Sequence, residues 1–152
     1  MRPPPRLSVS EWADKHRYLS RETSGEFGLW RTERVPYMKE VMDCFSDPSV
    51  ERIVCQMGAQ LSKSEAVICN AIGYHVAQDP APILVITPRE HDAKKMSRTR
   101  VAPMLRDSPV LRGKVKDPKS RDSENTILEK HYPGGRLIFG GANSPANLAG
   151  DP

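Results

Sequence analysis

Val50-Glu51-Arg52-Ile53-Val54-Cys55-Gln56-Met57-Gly58-Ala59-Gln60-Leu61-Ser62-Lys63-Ser64-Glu65 is the stretch whose reading decides the fold. Its first six residues, Val50 to Cys55, read as a strand. Met57 to Ser62 is small and polar, and from Lys63 to Ala77 the residues Ala66, Val67, Asn70, Ala71 and Tyr74 recur at helical spacing. A strand, a small-residue turn and a helix that opens on Lys-Ser is the architecture of a phosphate-binding loop. Backbone amides at a helix N-terminus are unpaired donors at the positive end of the macrodipole, so they favour phosphate. Lys63 would reach the β- and γ-phosphates, and the Ser64 hydroxyl would ligate Mg²⁺. Against the pattern G-x-x-x-x-G-K-[ST] the loop is deviant: Met57 and Ser62 stand where it has glycine, and Gly58 comes one place late. Ser62 still admits a phosphate, but a side chain there resists a positive φ by about 1 kcal/mol. The plainer reading of Lys63-Ser64 is an ordinary helix start followed by a surface lysine.

Downstream, Asp79-Pro80-Ala81-Pro82 breaks the helix, and Ile83–Thr87 is a short apolar run of the kind found in buried parallel strands. Residues 90–105 return to helical periodicity, with Pro103 a kink or an end. Residues 107–125 are polar and give no assignment. Thr126–His131 and Arg136–Phe139 flank Pro133-Gly134-Gly135, a hairpin turn. Upstream, residues 1–7 are proline-rich and read as an extended lead-in. Ser8 and Glu11 have capping-box spacing, and Trp12, Ala13, His16 and Leu19 give the following helix its stripe. Residues 20–32 read as an ordered loop that buries Phe27, Leu29 and Trp30. Pro36 opens a second helix with an apolar face of Tyr37, Val41, Met42 and Phe45, ended by Asp47-Pro48. This order of elements argues for an α/β sandwich with a partly parallel sheet and a right-handed crossover.

The chain has 152 residues, enough for one domain, and carries a net charge of +4. Between Arg89 and Asp122 eleven Lys/Arg face five Asp/Glu, so this segment alone is +6. Such a segment suits a phosphate backbone, or is simply a solvated helix face. Cys44, Cys55 and Cys69 form no CxxC pair and read as buried free thiols in a reducing compartment. The four histidines show no ligand spacing. No apolar run is long enough to span a membrane and no leader follows Met1, so a cytoplasmic location is expected.

Gln60-Leu61-Ser62-Lys63-Ser64-Glu65 resembles the deviant Walker A of the lambda-type (GpA-like) bacteriophage terminase large subunits. Further blocks resemble the family in the same order: Ser10-Glu11-Trp12-Ala13-Asp14, Trp30-Arg31-Thr32, Pro36-Tyr37, Ser46-Asp47-Pro48-Ser49-Val50, Arg100-Val101-Ala102-Pro103-Met104, and Gly141-Ala142-Asn143-Ser144-Pro145-Ala146-Asn147-Leu148. The resemblance implies a P-loop NTPase-like (ASCE-type) three-layer α/β sandwich with a mainly parallel sheet. Residues 1–48 would carry the lead-in helices and adenine-side elements, and residues 49–152 the first part of the ATPase core. It implies ATP and Mg²⁺ as cofactors. Gly58, Ala59, Gln60, Leu61, Ser62, Lys63 and Ser64 would form the nucleotide site, with Lys63 catalytic and Ser64 on the metal, and Tyr37 would pack on the adenine. Tyr37 as a core aromatic is the alternative, and core packing is the reading for Trp12 and Trp30. Met57 departs from the basic or polar residue of relatives, and Ser62 from their glycine.

The implied activity is the ATP-driven packaging of double-stranded DNA into a capsid. The implied partners are DNA, the terminase small subunit and the portal protein, in a homo-oligomer in the host bacterial cytoplasm, with no membrane. Lys94, Lys95, Arg98 and Arg100 are the candidates for a DNA or subunit interface. Hydrolysis needs an apolar strand ending in Asp-Glu, and none occurs before Pro152. Neither that Walker B strand nor a nuclease domain is present. The expectation is therefore a fragment, incomplete at the C-terminus, poorly active alone and marginally stable. The alternatives are a helicase-like nucleic-acid motor fragment and a non-catalytic basic DNA- or protein-binding remnant.

Overall fold

A computed structural model describes residues 6–115 and 126–143. Helix α1, Val9–His16, begins where the sequence places it. Ser8 Oγ accepts from the amide of Glu11, and the Glu11 carboxylate accepts from the amide of Ser8. Trp12 and Ala13 are buried. Leu19 leaves the expected stripe: the helix ends at His16, and Leu19 sits in β1, Tyr18–Leu19, which pairs antiparallel with β2, Gly28–Leu29. Of the three apolar residues expected inside that loop, Trp30 alone is buried. Phe27 is 61% exposed and is covered instead by the Arg21 guanidinium, 4.2 Å from its ring centre.

Pro36 opens a tight 3₁₀ turn, Pro36–Met38, before α2, Lys39–Cys44. The tight turn advances the helical phase. Met38 and Met42 are therefore the buried face, while Tyr37 and Phe45 lie toward solvent, a correction to the expected stripe. Residues 50–55 form no strand. Val54 is 83% exposed, and no other strand lies alongside among the described residues. A strand exists by pairing, and an apolar pattern without a partner does not make one.

The helix after the loop opens as a π-helical stretch, Ser64–Cys69, and continues as α3, Asn70–Ala77. Ala66, Val67, Asn70, Ala71 and Tyr74 are all buried, as the spacing predicts. Gly73 lets α1 sit directly on α3: a Cβ there would lie 2.4 Å from the Trp12 ring. β3, Ile83–Thr87, leads into α4, Glu90–Met96, a second π-helical stretch, Ser97–Val101, and α5, Ala102–Asp107. Pro103 has no N–H to return to the preceding turn, and the chain takes the wider π turns just before it.

β4, Glu129–Tyr132, turns through Pro133-Gly134 into β5, Gly135–Gly141, which is the predicted hairpin. Gly134 has φ of +88° and packs against Pro80, where a Cβ would lie 2.7 Å from the ring. The sheet order is β3-β5-β4, with β3 parallel and β4 antiparallel to β5. The sheet is therefore small and mixed, with α4 packed on β3 and β5. β3 is not enclosed on both faces as its apolar run suggests: Leu84 is 49% and Ile86 39% exposed. The proline-rich residues 1–5, part of the unassigned 107–125 segment (116–125), and residues 144–152 with the Asn147-Leu148 block lie outside the described residues.

Candidate functional site

Between residue 58 and the π-helical stretch the loop doubles back through two left-handed residues that are not glycine, Gln60 with φ of +60° and Ser62 with φ of +58°. Each resists that conformation by about 1–2 kcal/mol. Strain of this kind persists where neighbouring structure imposes it, and it clusters at ligand-binding loops. Gly58 is not left-handed. The loop from Gly58 to Lys63 is exposed throughout, and among the described residues no protein acceptor takes the amides of Gly58 to Ser64. The first backbone bond of the helix runs from the Ala66 amide to Ser62 O at 2.7 Å. The Lys63 side chain is exposed and makes no ion pair among the described residues, and Ser64 is half-buried. Free amides, a free ammonium and a hydroxyl thus meet at a helix N-terminus, a donor set that fits a polyphosphate with its metal.

Beside the loop lies a cavity of about 130 Å³, lined by Ser62 and Glu65, by the apolar Leu29, Trp30 and Val35, and by Arg31, Arg34 and Glu26 among its polar groups. Arg34 and Glu26, both in its lining, form an ion pair. Tyr37, 55% exposed, does not line this cavity. Of the four basic candidates, Lys94 is paired with Glu90 at 2.5 Å and Arg100 with Glu65 at 2.7 Å, while Lys95 and Arg98 are exposed. Arg98 borders a separate cleft of about 370 Å³ with Arg106, Arg112 and Glu22. Arg106 is held by both Asp107 and Glu22, and its guanidinium keeps the Asp107 carboxyl below the usual range.

Glu65 is the residue sequence reading passed over. Its carboxylate accepts from Arg17 at 2.5 Å and from Arg100 at 2.7 Å. A single acid ahead of the apolar Ala66-Val67-Ile68-Cys69 was the available signal, because a carboxylate on a buried face needs a cation. One turn on, burial and then the Glu65 charge push the Cys69 thiol up to about 12. The three cysteines are free, but Cys55 is exposed rather than buried. No group of His, Cys, Asp or Glu among the described residues is disposed to hold a metal by itself.

Residues 24–152 match the family described as phage terminase large subunit gpA, ATPase domain. The chain belongs to that family. It is 26% identical over 135 residues to the terminase large subunit of Escherichia phage lambda, covering 89% of this chain and 20% of the relative. It is 23% identical over 129 residues to the terminase large subunit of Enterobacteria phage P21, covering 85% of this chain and 20% of the relative. The chain therefore spans about a fifth of the length of these terminase subunits. No solved structure gives a significant match. No helix among the described residues of this terminase ATPase chain is long and apolar enough to cross a membrane.

Proposed function

We propose that the chain is the nucleotide-binding part of a packaging motor, and that residues 58–64 cradle the triphosphate of ATP. The single observation that carries this reading is the row of amides from Gly58 to Ser64 that find no acceptor among the described residues, at the start of a helix, with the Lys63 ammonium in no ion pair among them. Lys63 would hold the outer phosphates and Ser64 would hold the magnesium ion, which when bound would supply positive charge to the leaving polyphosphate. The base lies against the apolar residues of the small cavity beside Ser62, whose lining does not include Tyr37. Residues 1–48 contribute that base side, and residues 49–152 the beginning of a three-layer P-loop core.

In the parent protein the carboxylates that activate water belong to a strand outside this chain, and a nuclease follows. The chain by itself hydrolyses ATP poorly. Double-stranded DNA, the small subunit and the portal are the partners of the assembled oligomer, in the host cytoplasm. Lys95 and Arg98 are the exposed members of the basic surface toward them.

Calorimetric titration with a non-hydrolysable ATP analogue, with and without Mg²⁺, tests the reading. Lys63→Ala removes a charge-assisted contact of roughly 1.5–3 kcal/mol, so affinity falls about ten- to a hundredfold. Equal affinity in the folded variant refutes the site. No binding by the folded wild type favours a basic DNA- or protein-binding surface with a decayed nucleotide loop.

A further inference from the structure

The Arg17–Glu65–Arg100 trio joins three elements at one carboxylate. Arg17 caps the C-terminus of α1, Glu65 lies in the first turn after the loop, and Arg100 belongs to the π-helical stretch between α4 and α5. The two arginines are held differently. The Arg17 side chain is 2% exposed and also donates to Tyr18 O at 2.5 Å, so it is a fixed anchor. The Arg100 side chain is 40% exposed and rests on Glu65 Oε1.

One arginine is enough to balance one carboxylate, so the second leaves the trio with a net positive charge next to Lys63. Both ends of the Arg100–Glu65 pair stand in π-helical turns, a geometry uncommon in helices and frequent at functional sites. Glu65 also lines the small cavity beside Ser62. The loop's own amides make no protein contacts among the described residues, so its C-terminal end is tied down by the Ser62–Ala66 backbone bond and the Glu65 carboxylate.

We propose that Glu65 is a positioning residue for the phosphate loop, and that Arg100 is the releasable half of a two-arginine clamp tying that loop to the basic helix. The proposal rests on the reading of residues 58–64 as a phosphate site. Arg17 sets where the first helical turn lies. Arg100 sets how firmly it stays there, so the basic helix and the loop respond to each other through one ion pair.

Arg100→Ala is the informative variant, because the buried Arg17 keeps its partner. Two readouts are taken: backbone hydrogen exchange in nucleotide-free protein, and affinity for Mg²⁺ with a non-hydrolysable ATP analogue. Expected are faster exchange over residues 58–66, unchanged exchange in α1, an unchanged melting temperature and an affinity lower by roughly three- to tenfold, the size of coupling between residues in one ion-pair network. Arg100→Lys restores part of the affinity. Glu65→Gln also weakens binding, and adding it to Arg100→Ala costs less than the two separate losses together.

Wild-type affinity and wild-type exchange in Arg100→Ala overturn the clamp. So does an affinity that falls only in step with the melting temperature. If the wild type binds no analogue while Arg100→Ala still loosens the loop, the phosphate reading fails and the positioning role fails with it. That result is distinct from a wild type and an Arg100→Ala variant that bind equally well.

Discussion

Replacing Ser62 with glycine should stabilise this protein, although glycine substitution ordinarily does the opposite. Ser62 holds φ of +58°, where a residue with a Cβ loses about 1–2 kcal/mol. Glycine releases that strain but makes the unfolded chain more flexible, which takes back about 0.5–1 kcal/mol. The difference lies between about 0 and 1.5 kcal/mol in favour of Ser62→Gly, centred on about 0.7 kcal/mol. Ser62→Ala is the control. It keeps the Cβ and the strain, and it leaves the Ser62 carbonyl that accepts from the Ala66 amide untouched. Urea unfolding followed by circular dichroism resolves the two if their slopes agree. The expected result is Ser62→Gly above wild type and Ser62→Ala within a few tenths of a kcal/mol of it. Ser62→Gly at or below Ser62→Ala would show that the loop does not hold Ser62 in the left-handed region, and the strained-cradle account would fall. Gly58 supplies the contrast: it is not left-handed, and a Cβ there meets nothing closer than Leu61 at 3.5 Å, so Gly58→Ala should not carry this penalty.

Two further tests concern what holds the loop helix. At Gly73 a methyl group would lie 2.4 Å from the buried Trp12 ring, so overpacking by about 1–3 kcal/mol opposes the roughly 1 kcal/mol that alanine adds to a helix. Gly73→Ala should be destabilising, Trp12→Phe should relieve part of it, and a Gly73→Ala protein more stable than wild type in thermal melts refutes the α1–α3 contact. At Cys69 the folded thiol titrates near 12, above its ordinary value of 9.0. The folded state thus binds this proton more tightly than the unfolded chain. Stability from this group is intact below about pH 9 and declines by up to about 1.4 kcal/mol per unit as pH rises toward 12. Unfolding midpoints of wild type and Cys69→Ala between pH 8 and 10.5 should converge or cross as the wild type loses ground, and parallel curves would contradict the burial. Cys55, being exposed, should react with a thiol reagent in the native state while Cys69 does not.

Features written within a few residues of one another were legible in the sequence. The Ser8–Glu11 cap, the face of Lys63–Ala77 and the Pro133-Gly134 hairpin all follow from local rules, and all three stand. Residues 50–55 failed because a strand is fixed by its neighbour, and the neighbour is not in the pattern. The buried face before α2 failed because the 3₁₀ turn at Pro36–Met38 shifted the phase by part of a turn, bringing Met38 inward and leaving Tyr37 out. At the site, Lys63 and Ser64 were singled out from a strand-to-helix order; the helix start stands where the spacing put it, and the strand before it did not form. Glu65 was missed because its partners, Arg17 and Arg100, lie 48 and 35 residues away, and no local rule joins them.

The three-stranded sheet has two unlike borders. β4 carries Glu129 and His131, partly exposed and paired with each other, and polar side chains at a border discourage uninvited company. β3 on the opposite side is Ile-Leu-Val-Ile-Thr, with no charge and no proline, and among the described residues nothing pairs with its outer amides and carbonyls. Among the described residues β3 is therefore the apolar, open border of this sheet. A segment that adds alongside Ile83–Thr87, from the same polypeptide or a foreign one, lengthens the sheet, and a bare border of this composition behaves as glue.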